Sequence, residues 1–95
     1  MNRNTCLLYN GVNEIYDKLL LFCIEKGFKV EESNEKFYFL NAKKKSFLFW
    51  RTVRLELEIL TVEKEKVQVK IELFKYGKRQ PKLENEYIVA IENLF

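Results

Sequence analysis

Val53-Arg54-Leu55-Glu56-Leu57-Glu58-Ile59 alternates strictly between apolar and charged side chains. That period of two is the signature of a β-strand with one buried face and one wet face. Val67-Gln68-Val69-Lys70-Ile71-Glu72-Leu73 repeats the pattern and predicts a second strand of the same kind. Upstream the character changes. Phe47-Leu48-Phe49-Trp50 and Phe37-Tyr38-Phe39-Leu40 are apolar at every position, so both faces of that part of the sheet carry apolar groups. One face belongs to the core. The other needs a second cover, and we expect it to be an interface formed by Tyr38, Leu40, Phe47, Phe49 and Trp50.

Reading outward, Thr5–Tyr9 predicts a short strand, with an edge position expected. Asn10 and Gly11 break it and offer an N-cap, with Glu14 at N3. Val12, Ile15, Tyr16, Leu19, Phe22 and Cys23 fall at helical spacing over 12–26, and Leu20, Leu21 and Ile24 widen the stripe, which predicts cover on more than one side. Gly27 suits the C′ position, with Lys26 in the last turn. Strands are predicted at 28–31, 36–42, 47–60 and 67–74, with a loop at 61–65 and a basic loop at 76–82. A helix is predicted over 85–95 with Asn85 as its N-cap. Tyr87, Ile88, Ile91, Leu94 and Phe95 share its apolar face.

The order is β-α-β-β-β-β-α. It predicts an α+β fold: a mainly antiparallel sheet with two helices packed on one face. The 95 residues make a single domain spanning 1–95.

Charge sets a register for the last hairpin. Pairing Ile59 with Val67 places Glu56 opposite Lys70 and Arg54 opposite Glu72. A shift of two residues sets Glu56 against Glu72. Opposite charges across a pair contribute ~0.2–1 kcal/mol, which favours the first register unless a bulge intervenes. A bulge is expected near Trp50–Thr52, because unbroken parity would drive Arg51 into the core.

The chemistry of catalysis is thin. There is no histidine, and Gly11, Gly27 and Gly77 are the only glycines, so no phosphate loop exists. Two isolated cysteines, Cys6 and Cys23, cannot build a four-ligand metal site and read as core residues, not a disulfide. Glu56 and Glu58 share a strand face, but they read as a solvated pair neutralised by Arg54 and Lys70. No enzyme, metal or cofactor is expected. No stretch is long and apolar enough to span a bilayer. Met1-Asn2-Arg3-Asn4-Thr5 leads into a very short apolar stretch unlike a secretory signal, and a cytoplasmic protein is expected.

Net charge is +3, split as −2 over 1–35 and +5 over 36–95. Lys43, Lys44, Lys45, Lys75, Lys78, Arg79 and Lys82 form a candidate basic rim. With Trp50, Tyr38 and Tyr76 as stacking groups, it suits single-stranded nucleic acid. A third option is a hydrophobic-ligand pocket between the sheet and the first helix, lined by Phe22, Phe28 and Phe39. The first expectation is a non-enzymatic interaction protein that forms a homodimer or binds another protein through the apolar patch.

The helix ending in Lys26-Gly27-Phe28-Lys29-Val30, the strand 37–42, Ser46 leading into Arg51-Thr52-Val53-Arg54-Leu55-Glu56-Leu57, and Val67–Ile71 followed by a basic glycine loop and a short helix together resemble the TATA-binding-protein-like β-α-β4-α fold. The likeness spans nearly the whole chain as a pattern of elements. It implies partners as varied as DNA, lipid and protein. Saddle-type DNA binding would require a dimer, since this chain holds a single copy of the unit.

Overall fold

A computed structural model describes residues 2–34, 39–45 and 52–95. The alternating strands sit at the centre of one antiparallel sheet. Its elements are β1 (Thr5–Leu8), α1 (Val12–Glu25), β2 (Lys29–Asn34), β3 (Phe39–Lys45), β4 (Thr52–Glu63), β5 (Lys66–Lys75), β6 (Lys78–Arg79) and α2 (Pro81–Glu92). The strand order is β1-β5-β4-β3-β2, with β6 pairing the same β5 that β1 pairs. β1 is an edge strand, as its sequence predicts.

Alternation places Val53, Leu55, Leu57 and Ile59 of β4 and Val67, Val69, Ile71 and Leu73 of β5 in the core. Ile15, Tyr16, Leu19, Phe22 and Cys23 of α1 and Ile88 and Ile91 of α2 are buried with them. Over β3, β4 and β5 the outer face is mainly charged, with Phe39 and Phe74 set among the charges. Its rows run Lys43–Arg54–Phe74, then Asn41–Glu56–Glu72, then Phe39–Glu58–Lys70.

Two expectations about the strands change. The hairpin pairs Ile59 with Val69, so Glu56 faces Glu72 and not Lys70. A bulge at Val62 lets both strands run to a two-residue turn, with Glu63 paired to Lys66 and Glu65 at φ 59°. The longer ladder adds backbone bonds that outweigh one unfavourable cross-strand pair. Arg54 lies 3.9 Å from Glu56, and Lys70 and Arg79 lie 3.4 and 3.7 Å from Glu72, so each carboxylate finds a cation along its own strand or at the sheet edge. The second change is in 76–82, which is not a loop: 76–79 close a tight hairpin onto β5, and Pro81 and Lys82 open α2. Tyr76 and Gly77 both have positive φ, 55° and 74°, as a type I′ turn demands. The bulge expected at Trp50–Thr52 falls mostly outside the described residues.

Local chemistry sets the end of α1 and the start of α2. Gly27 takes φ 86° just past the end of α1, the left-handed conformation of a helix stop. α2 begins four residues earlier than predicted, with Gln80 as N-cap and Pro81 at its first position. Proline's missing N–H costs nothing there, since that group has no helical partner in any case. Asn85 is therefore inside the helix, and its Oδ1 accepts the Arg3 backbone N–H at 3.0 Å. Leu20 packs against the core, but Leu21 and Ile24 are exposed, so the outer side of α1 has no cover among the described residues.

Between β1 and β6 the edge of β5 is left without a strand, and Glu84 fills the gap. Its carboxylate, 1% exposed, accepts the Leu73 N–H at 2.9 Å. It is gripped by Arg79 through Nε at 2.6 Å and Nη2 at 2.8 Å. The Leu73 carbonyl accepts from Gln80 N–H at 2.9 Å, so the main chain of Leu73 is fully satisfied. Burial pushes the Glu84 carboxyl up, but the Arg79 bond, the Leu73 amide and the Arg79 charge together hold it below the ordinary carboxylate range.

Candidate functional site

Strand register decides which basic residues meet. Lys44 pairs with Val53, and Val53 pairs with Lys75. The two lysines therefore flank one apolar side chain at the end of the sheet. Beyond them the Tyr76–Gly77 turn folds over, and α2 brings Leu83 and Tyr87 alongside. The result is a pocket of about 280 Å³ lined by Lys44, Thr52, Val53, Leu73, Lys75, Tyr76, Leu83 and Tyr87. Its walls are apolar and aromatic, and its fixed charges are two cations.

Tyr87 is held by an aromatic cluster. Phe22 meets its ring edge-on at 5.6 Å and Phe28 at 6.3 Å. Burial pushes the Tyr87 phenol above its ordinary range, so it stays protonated at neutral pH. Lys26 Nζ sits 5.9 Å from the Tyr87 ring centre, and Lys44 Nζ sits 5.0 Å over Phe28. Lys44 also donates to the Lys26 carbonyl at 3.4 Å, which holds its ammonium near the C-terminal end of α1.

A second pocket of about 260 Å³ lies on the outer face, lined by Lys43, Thr52, Arg54, Phe74 and Gly77. The Arg54 guanidinium stands 5.4 Å over the Phe74 ring. Lys43 also meets Glu31 at 3.1 Å. Thr52 lines both pockets, while the turn contributes Tyr76 to one and Gly77 to the other.

The candidate basic rim is thus partly assembled. Lys43, Lys44 and Lys75 converge on the end of the sheet, where the backbone of Lys45 pairs with Thr52. Lys78 is exposed beyond the turn, paired with Lys75. Lys82 is exposed on the first turn of α2. Arg79 leaves the rim, because both of its carboxylate partners, Glu84 and Glu72, hold it at the sheet edge.

Compared with models of known protein families and with curated proteins, the chain matches none.

The candidate interface fares differently. Leu40 is fully buried on the core face, so it is no part of an outer surface. Pairing with Leu57 fixes that orientation. Tyr38, Phe47, Phe49 and Trp50 lie outside the described residues. The hydrophobic-ligand pocket lined by Phe22, Phe28 and Phe39 does not form. Phe22 and Phe28 are core residues packed on Tyr87, and Phe39 pairs with Glu58 on the other side of the sheet. Glu56 and Glu58 stand on the outer face as expected, with Arg54 beside Glu56.

One surface was missed by reading the sequence. Leu7, Tyr9, Leu60 and Val62 are 46%, 70%, 49% and 51% exposed at the opposite end of the sheet. Leu7 and Leu60 both pair with Gln68, so they share the outer face. The parity that sends Val53–Ile59 inward already sends Leu60 outward, and that signal was available.

Proposed function

We propose that this chain is a non-enzymatic binding domain whose site is the pocket between Lys44 and Lys75. Its ligand is an amphipathic anion, with an aromatic or apolar body against Val53, Leu73, Leu83 and Tyr87 and a negative group between the lysines. The observation that carries this reading is the register Lys44–Val53–Lys75, which sets two cations on either side of an apolar floor. Pockets of this make-up, mostly apolar with a few placed charges, are the usual form of small-molecule sites.

A non-catalytic role draws support from the shifted groups. Burial pushes the Cys6 thiol up to about 11 and the Cys23 thiol up to about 12, so neither is a nucleophile at neutral pH. Glu84 is held ionised and fully bonded, the opposite of a carboxyl poised to exchange a proton. Both thiols are free, which supports a cytoplasmic setting. No helix among the described residues is long and apolar enough to cross a membrane.

Fluorescence titration with two dyes tests the reading. Anilinonaphthalene sulfonate should bind the wild type at least about tenfold more tightly than uncharged phenylnaphthylamine, since a charged contact of ~1.5 kcal/mol is worth a factor of ten. Lys44→Gln combined with Lys75→Gln should erase the difference. Equal affinity for both dyes in the wild type contradicts it.

A second reading is favoured by the Leu7–Leu60–Val62 patch. It lies beside β1, whose outer edge has no strand partner among the described residues. An exposed apolar patch next to an unpaired edge suits an isologous contact with a second copy of this chain. Light scattering over a concentration series should then show a dimer that Leu60→Lys converts to a monomer. A wild type that stays monomeric at the highest concentration contradicts it.

A further inference from the structure

The two pockets at the end of the sheet repeat one composition on opposite faces. Each holds two cations and aromatic surface: Lys44 and Lys75 with Tyr76 and Tyr87 inside, Lys43 and Arg54 with Phe74 outside. They are similar in size, about 280 and 260 Å³, and only the Tyr76–Gly77 turn and Thr52 lie in both walls. A ligand that serves both must itself repeat an aromatic body and a negative charge.

We propose that single-stranded nucleic acid is that ligand, its strand passing over the Tyr76–Gly77 turn. This rests on the pocket reading above and names its partner. One base lies against Tyr76 and Tyr87, and the next lies beside Phe74 and Arg54, whose planar guanidinium offers a stacking surface. The phosphates meet Lys44 and Lys75 on one side of the turn and Lys43 on the other. Stacking tolerates any base, so the site reads charge and ring and not sequence. A duplex is excluded from this mode, since its paired and stacked bases cannot turn out to reach either pocket.

The surrounding charge favours this path. Among the described residues neither Lys44 nor Lys75 has a carboxylate partner within 4 Å, and the 3.4 Å bond from Lys44 to the neutral Lys26 carbonyl is one that a phosphate displaces readily. Lys43 is shared with Glu31 and Arg54 with Glu56, but these are exposed pairs that a phosphate displaces readily. Further along the outer face Glu56, Glu58 and Glu72 repel a polyanion and confine the strand to the sheet's end.

The test is fluorescence anisotropy with a labelled twelve-residue oligothymidylate, run beside thymidine monophosphate and inorganic polyphosphate of equal charge. The oligonucleotide should bind at least about tenfold more tightly than the mononucleotide. Its affinity should fall with a log–log salt slope of about −2 to −3, as for three or four phosphates on a single strand. Arg54→Gln, on the exposed outer face, should lower oligonucleotide affinity about tenfold more than it lowers anilinonaphthalene sulfonate affinity. If the dye binds but the oligonucleotide gains nothing over the mononucleotide, the pocket stands and this proposal falls. Polyphosphate binding as tightly as the oligonucleotide also overturns it, because the rings would then contribute nothing. If the dye does not bind either, the pocket reading itself is wrong.

Discussion

Arg79→Met should destabilise the domain by ~2–4 kcal/mol, more than any other exposed substitution among the described residues. Arg79 is largely a surface residue, and surface changes are usually worth under ~0.5 kcal/mol. This one differs because its guanidinium is the counter-charge of a carboxylate that is 1% exposed. Removing one partner of such a pair leaves a buried charge uncompensated, which costs ~3–5 kcal/mol when the site is fully dry. The exposed flank of Arg79 admits some water and brings the figure down. Glu84→Gln should cost less, about 1 kcal/mol, since a carbonyl still accepts the Leu73 N–H. Converting both residues to Met should be no worse than Arg79→Met alone, because the ~1–3 kcal/mol for the Leu73 N–H that loses its acceptor replaces the larger cost of a stranded charge. Urea unfolding of the four proteins checks the order.

The same pair sets an acid limit. The folded state holds Glu84 below its ordinary value of about 4.5. The unfolded chain therefore takes up the Glu84 proton first as pH falls. The contribution is fully present above the unfolded value and is lost as pH drops through the folded one. Arg79→Met should flatten that part of the stability–pH curve.

The other large effect separates two neighbours. Leu40→Ala should cost ~3 kcal/mol, within the usual range for emptying a buried leucine site, and lower the melting temperature by about 15 °C. Phe39→Ala, on the outer face, should cost ~1 kcal/mol or less although it removes a larger side chain. The sign of this comparison is decided by strand parity alone. Leu40 pairs with Leu57, and Phe39 pairs with Glu58. Were Leu40 part of an outer interface, the two costs would be reversed in the monomer.

That pair also shows where the sequence was legible. β4 and β5 alternate so strictly that their core faces follow from a period of two, and the helical spacing over 12–26 and 85–95 adds the two helices of the antiparallel α+β plan. Phe37–Leu40 is apolar on both faces, so no pattern within it says which residue turns inward. Only pairing with β4 decides that. The hairpin register failed for a related reason: cross-strand charge is a weak term, and a bulge at Val62 with a longer ladder outweighs it. Pro81 carried the helix start, a stronger signal than the cap offered by Asn85. The basic residues were visible as a set. Their division into a converging group, Lys43, Lys44 and Lys75, and a structural one, Arg79, depends on long-range pairing that no local pattern records. The plug formed by Glu84 was invisible, since its partners Leu73 and Arg79 are brought together only by the β5–β6 turn.

The measurement that bears most directly on the cationic end of the sheet is a two-dimensional amide NMR titration of the wild-type chain with anilinonaphthalene sulfonate. Shifts gathered at Lys44, Val53, Leu73, Lys75, Tyr76, Leu83 and Tyr87, with Leu7, Leu60 and Val62 still, are what this account predicts. Shifts centred on Leu7 and Leu60, or a spectrum that does not move at saturating dye, would contradict it.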